Sequence, residues 1–269
     1  MATGSNLINT SASGQPTDNE DRPFSFAIGT QIFLNPTDDP TSAVVSFKAD
    51  VNLLAGTLSS GTSNLSIGFS TDSELSTLSQ WGESFISGTS ANRFPIGFGR
   101  LTNAPTKIGV NVEGTQVATL GKPTTVSSVD TASNELAMTA HPFNTGDRVI
   151  VTSTGAVPGG LSANVGYFVI AASANSIKLS NSRLNSITSN DIDIQSVGSG
   201  TITVASDEIF TLTRAGSSGS VTVKKEDVTI ATFTNTNATS PLRLFYWNRE
   251  QSASSTDPVL KEIKVTGAI

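Results

Sequence analysis

The residues able to do chemistry are few and widely spaced. His141 is the only histidine, and the absence of cysteine excludes thiol nucleophiles, disulfides and Cys-ligated zinc. No G-x-S-x-G or H-E-x-x-H stretch accompanies His141, so nothing completes a hydrolytic triad or a zinc site. Followed by Pro142, it reads as a turn residue. Asp191 and Asp193 are two apart in DIDI and would share one face of a strand. Such a carboxylate pair could hold Ca²⁺ or act on a glycosidic bond, although a solvated face opposite Ile192 and Ile194 needs no such role. Asp38-Asp39-Pro40 reads as a turn. Gly114 to Lys122 fails as a phosphate loop, because six residues rather than four separate Gly114 from Gly121 and Pro123 replaces the Ser or Thr. No catalytic residue, metal site or cofactor is expected.

Surface recognition is the remaining chemistry. Trp81, Tyr167 and the run Phe245-Tyr246-Trp247 are aromatics that could stack on sugar rings, or pack in a core. Trp247 is the first candidate for a glycan or partner contact, because it is expected to leave its strand into a polar loop with Asn248 and Arg249. Trp81 is the second.

The composition says what must position these side chains. Charged residues make up 14% of the 269, while Ser and Thr are abundant and no helix-forming residue dominates. Thr, Val and Ile between glycine-rich turns predict an all-β chain. A net charge of −6 and a pI near 4.8 leave no basic patch to displace phosphate counterions, so no nucleic-acid partner is expected. No apolar run approaches a membrane span, and the first residues lack the basic and apolar regions of an export signal. Neither membrane insertion nor classical export is expected. The sequons at Asn9, Asn64 and Asn237 then carry little meaning.

Residues 1–23 form a polar arm with an acidic cluster at Asp18, Glu20 and Asp21, expected to take order from a neighbouring chain. Strands are predicted at 24–34, 43–54, 64–70, 94–99, 107–112 and 116–120, with a helical turn or two at 72–81. Val45, Phe47, Ala49 and Val51 alternate with polar residues, the period of a half-buried strand. Strands resume at 208–214, 220–225, 228–234, 242–247 and 259–265. Lys225-Glu226-Asp227 and Ala215–Gly219 read as hairpin loops. This spacing suits a sandwich or jelly roll.

The run FTLTRAGSSGSVTVKKEDVTIATFTNTNATSPLRLFY, followed by VLKEIKV, resembles the closing strands of a concanavalin A-like sandwich. Between the flanks the order of cues is different. His141-x-Phe143-x-x-Gly146-Asp147-x-Val149 is followed by Gly155-x-x-Pro158-x-Gly160-Leu161, then Tyr167-x-Val169-Ile170, then Ile177-x-Leu179-Ser180. This series resembles a small β-module that recurs in bacteriophage virion proteins. The two resemblances imply an N-terminal arm (1–23), a discontinuous concanavalin A-like or jelly-roll sandwich (24–122 plus 206–269) and an inserted β-rich domain (123–205). Gly121-Lys122-Pro123 marks the way into the insert.

What the resemblances imply about function is a non-enzymatic structural protein of the virion. It would serve as a capsid decoration protein clamping subunits with the arm, or as a tail-fibre protein gripping host cells. The implied partners are other virion proteins, a host-surface glycan in the adhesin case, and further copies of the chain, with a trimer as the expected oligomer. A glycan-active enzyme, or a free carbohydrate-binding lectin, is the alternative on the same sandwich. The enzyme would need a carboxylate pair across a concave sheet, and no E-x-D-x-x-E stretch supplies it.

Overall fold

A computed structural model of the chain describes residues 24–28, 43–49, 64–70, 93–100, 107–112, 115–215, 220–234, 243–249 and 260–266. The described residues are all-β, and every strand pairing among them is antiparallel. The arm 1–23, the predicted helical turn at 72–81, Asp38, Asp39 and Trp81 lie outside them.

Two sheets are built from both flanks of the chain. One contains β1 (Phe24–Ile28), β3 (Asn64–Ser70), β4 (Arg93–Arg100), β5 (Lys107–Val112), β6 (Thr115–Gly121) and β17 (Arg243–Arg249), in the order β1-β17-β3-β4-β5-β6. The other contains β2 (Ala43–Ala49), β14 (Ile209–Ala215), β15 (Ser220–Lys225), β16 (Val228–Thr234) and β18 (Leu260–Thr266), in the order β16-β15-β14-β2-β18. The late strand β17 is inserted between β1 and β3 of the first sheet, and the early strand β2 between β14 and β18 of the second.

The alternation of the sequence explains how these sheets meet. Ile96 and Phe98, Ile108 and Val110, Phe210 and Leu212, and Val221 and Val223 are each two residues apart and buried. Phe98 of the first sheet meets Phe210 of the second edge to face, with ring centroids 5.2 Å apart. Antiparallel sheets packed through apolar inner faces are the arrangement of a β-sandwich.

The central segment makes a third sheet of its own. Its strands are β7 (Thr124–Thr125), β8 (Ser128–Asp130), β9 (Glu135–Ala137), β10 (Arg148–Ser153), β11 (Gly166–Ser173), β12 (Ser176–Ser180) and β13 (Ile202–Ser206), in the order β7-β13-β10-β11-β12-β9-β8. The two edge strands β7 and β8 are consecutive in sequence. Val126 N–H reaches the Ile202 carbonyl at 2.9 Å, and Ser127 N–H the Ala137 carbonyl at 2.8 Å. One stretch of chain thus pairs with β13 through its first half and β9 through its second. The sheet closes on itself as a small barrel.

Its interior follows the same period of two: Val149 and Val151, Tyr167 and Val169, Ile177 and Leu179, and Ile202 and Val204 point inward, with Leu136, Phe143 and Ile194 filling the rest. Tyr167 is a core residue whose hydroxyl accepts the Ser162 N–H at 2.7 Å. A five-residue helix, α1 (Arg183–Ile187), follows β12 and is capped by Ser182, whose hydroxyl accepts the Asn185 N–H at 3.1 Å. The DIDI stretch, expected to place Asp191 and Asp193 on one strand face, is not a strand, and β13 begins only at Ile202. Backbone N–H groups before it bond singly to scattered partners: Ile192 to Leu179 O, Ile194 to Asn134 Oδ1 and Gln195 to Gly159 O.

Candidate functional site

The densest chemistry in the described residues lies where the barrel meets the β14–β15 hairpin. Three short patterns each carry a charge into an apolar face. In Asp147-x-Val149-x-Val151 the acid precedes two inward valines of β10. In Glu208-x-Phe210-x-Leu212 a glutamate precedes two core residues of β14. In Val221-x-Val223-x-Lys225 a lysine follows two core residues of β15, and it sits directly opposite Phe210 in the register. Strand parity therefore sends all three charges the same way as their apolar neighbours.

They converge. Lys225 Nζ lies 2.7 Å from Asp147 Oδ1 and 3.1 Å from Glu208 Oε1. Asp147 Oδ2 accepts the Asn144 N–H at 2.8 Å and the Asn144 amide at 3.3 Å. Glu208 Oε1 also accepts the Arg148 N–H at 2.9 Å. The Arg148 guanidinium sits 2.9 Å from Asp207 Oδ2 and donates to the Asp207 carbonyl at 2.5 Å. Glu226 adds a fourth carboxylate, 3.9 Å from Arg148, and accepts the Ile209 N–H at 2.7 Å. Glu226 takes a left-handed φ of 54° in the two-residue turn between β15 and β16.

Four carboxyl groups here face two cations, and Glu208 is fully buried. Among the described residues nothing donates a hydrogen bond to its Oε2. Burial pushes the Glu208 carboxyl up to about 7; Lys225 opposes the rise, while the charges of Asp147 and Glu226 add to it. Glu226 is raised as well, chiefly by burial. Burial alone would lower the Lys225 ammonium, but the adjacent carboxylates of Glu208 and Asp147 outweigh it and hold it above its ordinary value. The cluster therefore combines an amine, a carboxylate held by two N–H donors and a buried acid that titrates near neutrality.

The strands around this cluster are pinned at a second point. The Gly121 N–H at the end of β6 donates to Ser206 Oγ at the end of β13 at 2.9 Å, across 85 residues. Any Cβ on Gly121 would come within 2.6 Å of the Phe143 ring and 2.7 Å of Pro142. The ways into and out of the barrel are side by side.

The residues singled out earlier fall elsewhere. His141 Nε2 lies 2.7 Å from the Ser173 carbonyl, and its ring stacks on Phe143 with centroids 6.1 Å apart, a turn-fixing arrangement. Asp191 is engaged by Lys178 at 3.1 Å and Asn134 at 3.4 Å, whereas Asp193 is exposed. The segment holding them is not a strand, which corrects the expectation of one shared strand face. Among the described residues no group of three or more His, Cys, Asp or Glu gathers to hold a metal ion. Trp247, Asn248 and Arg249 lie within β17, paired in register with Phe26, Ser25 and Phe24 on one side and Ser66, Leu65 and Asn64 on the other. The strand thus runs past Trp247, where a polar loop was expected. Trp81 is outside the described residues.

Sequence reasoning placed Asp147 in the first cue of the resembled module and Lys225 in a hairpin loop, but did not join them to Glu208. The available signal was parity: each of the three continues an alternating apolar pattern on its core side. Among the described residues no helix is long and apolar enough to cross a membrane. No family model, no curated protein and no solved structure matches this chain.

Proposed function

We propose that the chain is a non-enzymatic structural protein of a bacteriophage particle, acting through assembly or adhesion surfaces. The observation that carries this reading is the closed barrel set between strands of two other sheets. Each cue of the resembled module has a structural job in that barrel. Gly146 and Gly160 hold φ of 90° and 91° at turns, Tyr167 and Val169 fill the interior, and Asp147 organises the turn before β10 through Asn144. A self-closed body whose apolar side chains fill its interior leaves its outer face for contacts, which suits a part that joins neighbours or displays a binding face. The expected partners are other virion proteins and, in an adhesin, a host glycan.

Immunogold electron microscopy of purified particles with antibody against this chain tests the reading. Label over the head assigns a decoration role and turns attention to residues 1–23. Label at the tail tip or fibres assigns host attachment and turns attention to β17 and Trp247. Particles without label overturn the virion reading.

A further inference from the structure

We propose that Lys225 and Asp147 condense to an intramolecular amide, with Glu208 moving the protons, so that the barrel is covalently bonded to the β14–β15 hairpin. This does not rest on the virion reading. Nζ, a nitrogen nucleophile once deprotonated, lies 2.7 Å from Asp147 Oδ1, with Glu208 Oε1 3.1 Å away on the same nitrogen. Arg148, the other cation of the cluster, spreads its charge over a delocalised guanidinium and is no nucleophile. Asp147 rather than Glu208 is the acceptor for two reasons. Its oxygen is nearer, and its Oδ2 is held by two Asn144 donors that stabilise negative charge developing there. Among the described residues Glu208 Oε2 receives no such donor, which leaves that oxygen free to carry a proton.

The step balances without a co-reactant. The Lys225 ammonium gives one proton to Asp147 Oδ1. The freed lone pair attacks Cγ, and the π electrons of the carboxyl move to Oδ2 under the Asn144 N–H groups. Glu208 Oε1 takes a second proton from the nitrogen and delivers it to Oδ1. The Cγ–Oδ1 bond breaks with its electron pair, water leaves, and the carbonyl re-forms on Oδ2. One C–N bond is made, one C–O bond is broken, and Glu208 ends as it began. In free solution such a condensation is unfavourable, but groups fixed in contact react with effective molarities of about 10⁵–10⁸ M. A buried site also disfavours return of the water.

Mass spectrometry of the purified full-length chain, under denaturing conditions, reads the result directly. The expected mass is that of the sequence less one water, and a proteolytic digest should yield a branched peptide joining Lys225 to Asp147. Asp147→Asn should expel ammonia instead and reach the same product mass. Glu208→Gln and Lys225→Arg should both keep the full mass, and Lys225→Arg serves if Glu208→Gln does not fold. A wild-type chain that keeps its full mass after prolonged incubation while folded overturns the proposal. Water loss that persists in Lys225→Arg, or a branch mapped to other residues, overturns it equally.

Discussion

Lys225 Nζ and Asp147 Oδ1 meet at 2.7 Å although 78 residues separate them, and they belong to different sheets. The lysine ends β15 of the five-stranded sheet, while the aspartate immediately precedes β10 of the barrel. Glu208, just before β14, closes the triangle from the connection between the two. Charge is gathered where the barrel joins the hairpin.

Truncating the cation should be costly. Lys225→Ala leaves the carboxyl groups of Asp147 and Glu208 without their shared partner, and breaking a buried pair from one side costs about 3–5 kcal/mol. Urea unfolding of Lys225→Ala against Lys225→Arg, which keeps the charge and cannot form the amide, measures this free of any cross-link. A loss below about 1 kcal/mol would show that the contact is no more than a surface pair.

Acidity at Glu208 should make stability depend on pH in a particular direction. Its folded value, about 7, stands above the ordinary 4.5, so the folded state holds the proton more tightly than the unfolded chain. The stabilisation is complete below about 4.5 and is lost as pH rises through about 7, on the order of 3 kcal/mol in all. The raised Glu226 adds in the same direction. Burial, the largest cause at Glu208, acts whether or not Lys225 is bonded to Asp147. Thermal midpoints at pH 5.5 and 8 in equal ionic strength, compared with Glu208→Gln, provide the check; a wild type that is more stable at pH 8, or a variant with the same slope, contradicts this assignment.

Gly160 should tolerate no side chain. It sits at φ 91°, and a Cβ there would run into the Asp193 backbone carbonyl. Gly160→Ala should lose about 1–3 kcal/mol from the backbone conformation alone, with the clash added. Calorimetry that finds the variant as stable as wild type would remove the tight approach of the 155–161 turn to the 191–196 segment.

The sandwich contact is open to a double-mutant cycle. Phe98→Leu and Phe210→Leu should each destabilise, and their coupling should be about 0.5–1.5 kcal/mol, the added value of an edge-to-face pair. Additive losses would mean that the rings fill space without preferring each other.

The barrel should fold when expressed alone as residues 122–207. Its strands pair only with one another among the described residues, and its core residues come from that span. A dispersed amide spectrum is the expected outcome. A collapsed spectrum would place its stability in the hairpin contact instead.

Much of the strand pattern was legible before any coordinates. Residues 64–70, 107–112, 220–225 and 228–234 are strands at the predicted bounds, because alternation and turn residues agree there. The Glu226-Asp227 turn was equally plain. The segment 191–195 misled, since IDIQ alternates like a strand while its N–H groups find isolated partners. The five-residue α1 was not anticipated: it depends on a single Ser182 cap and is too short to show a helical period. The charge cluster was not legible as a site, because its members are distant in sequence and meet only through three separate pairings. Each had left a trace as a charge on the apolar side of its own strand.

The hydrogen bond between Gly121 and Ser206 has one more consequence. Seen from the flanking sheets, the long stretch between these residues begins and ends at nearly one point and behaves as a tight connection from β6 to β14. Its length is therefore invisible to the strands on either side. A recombination event could delete that stretch, or exchange it for another self-closing unit, without re-registering a single neighbouring pair. In hereditary terms the barrel is a cassette, and the covalent bond proposed above would be a part of the exchange requiring a matched residue on both sides.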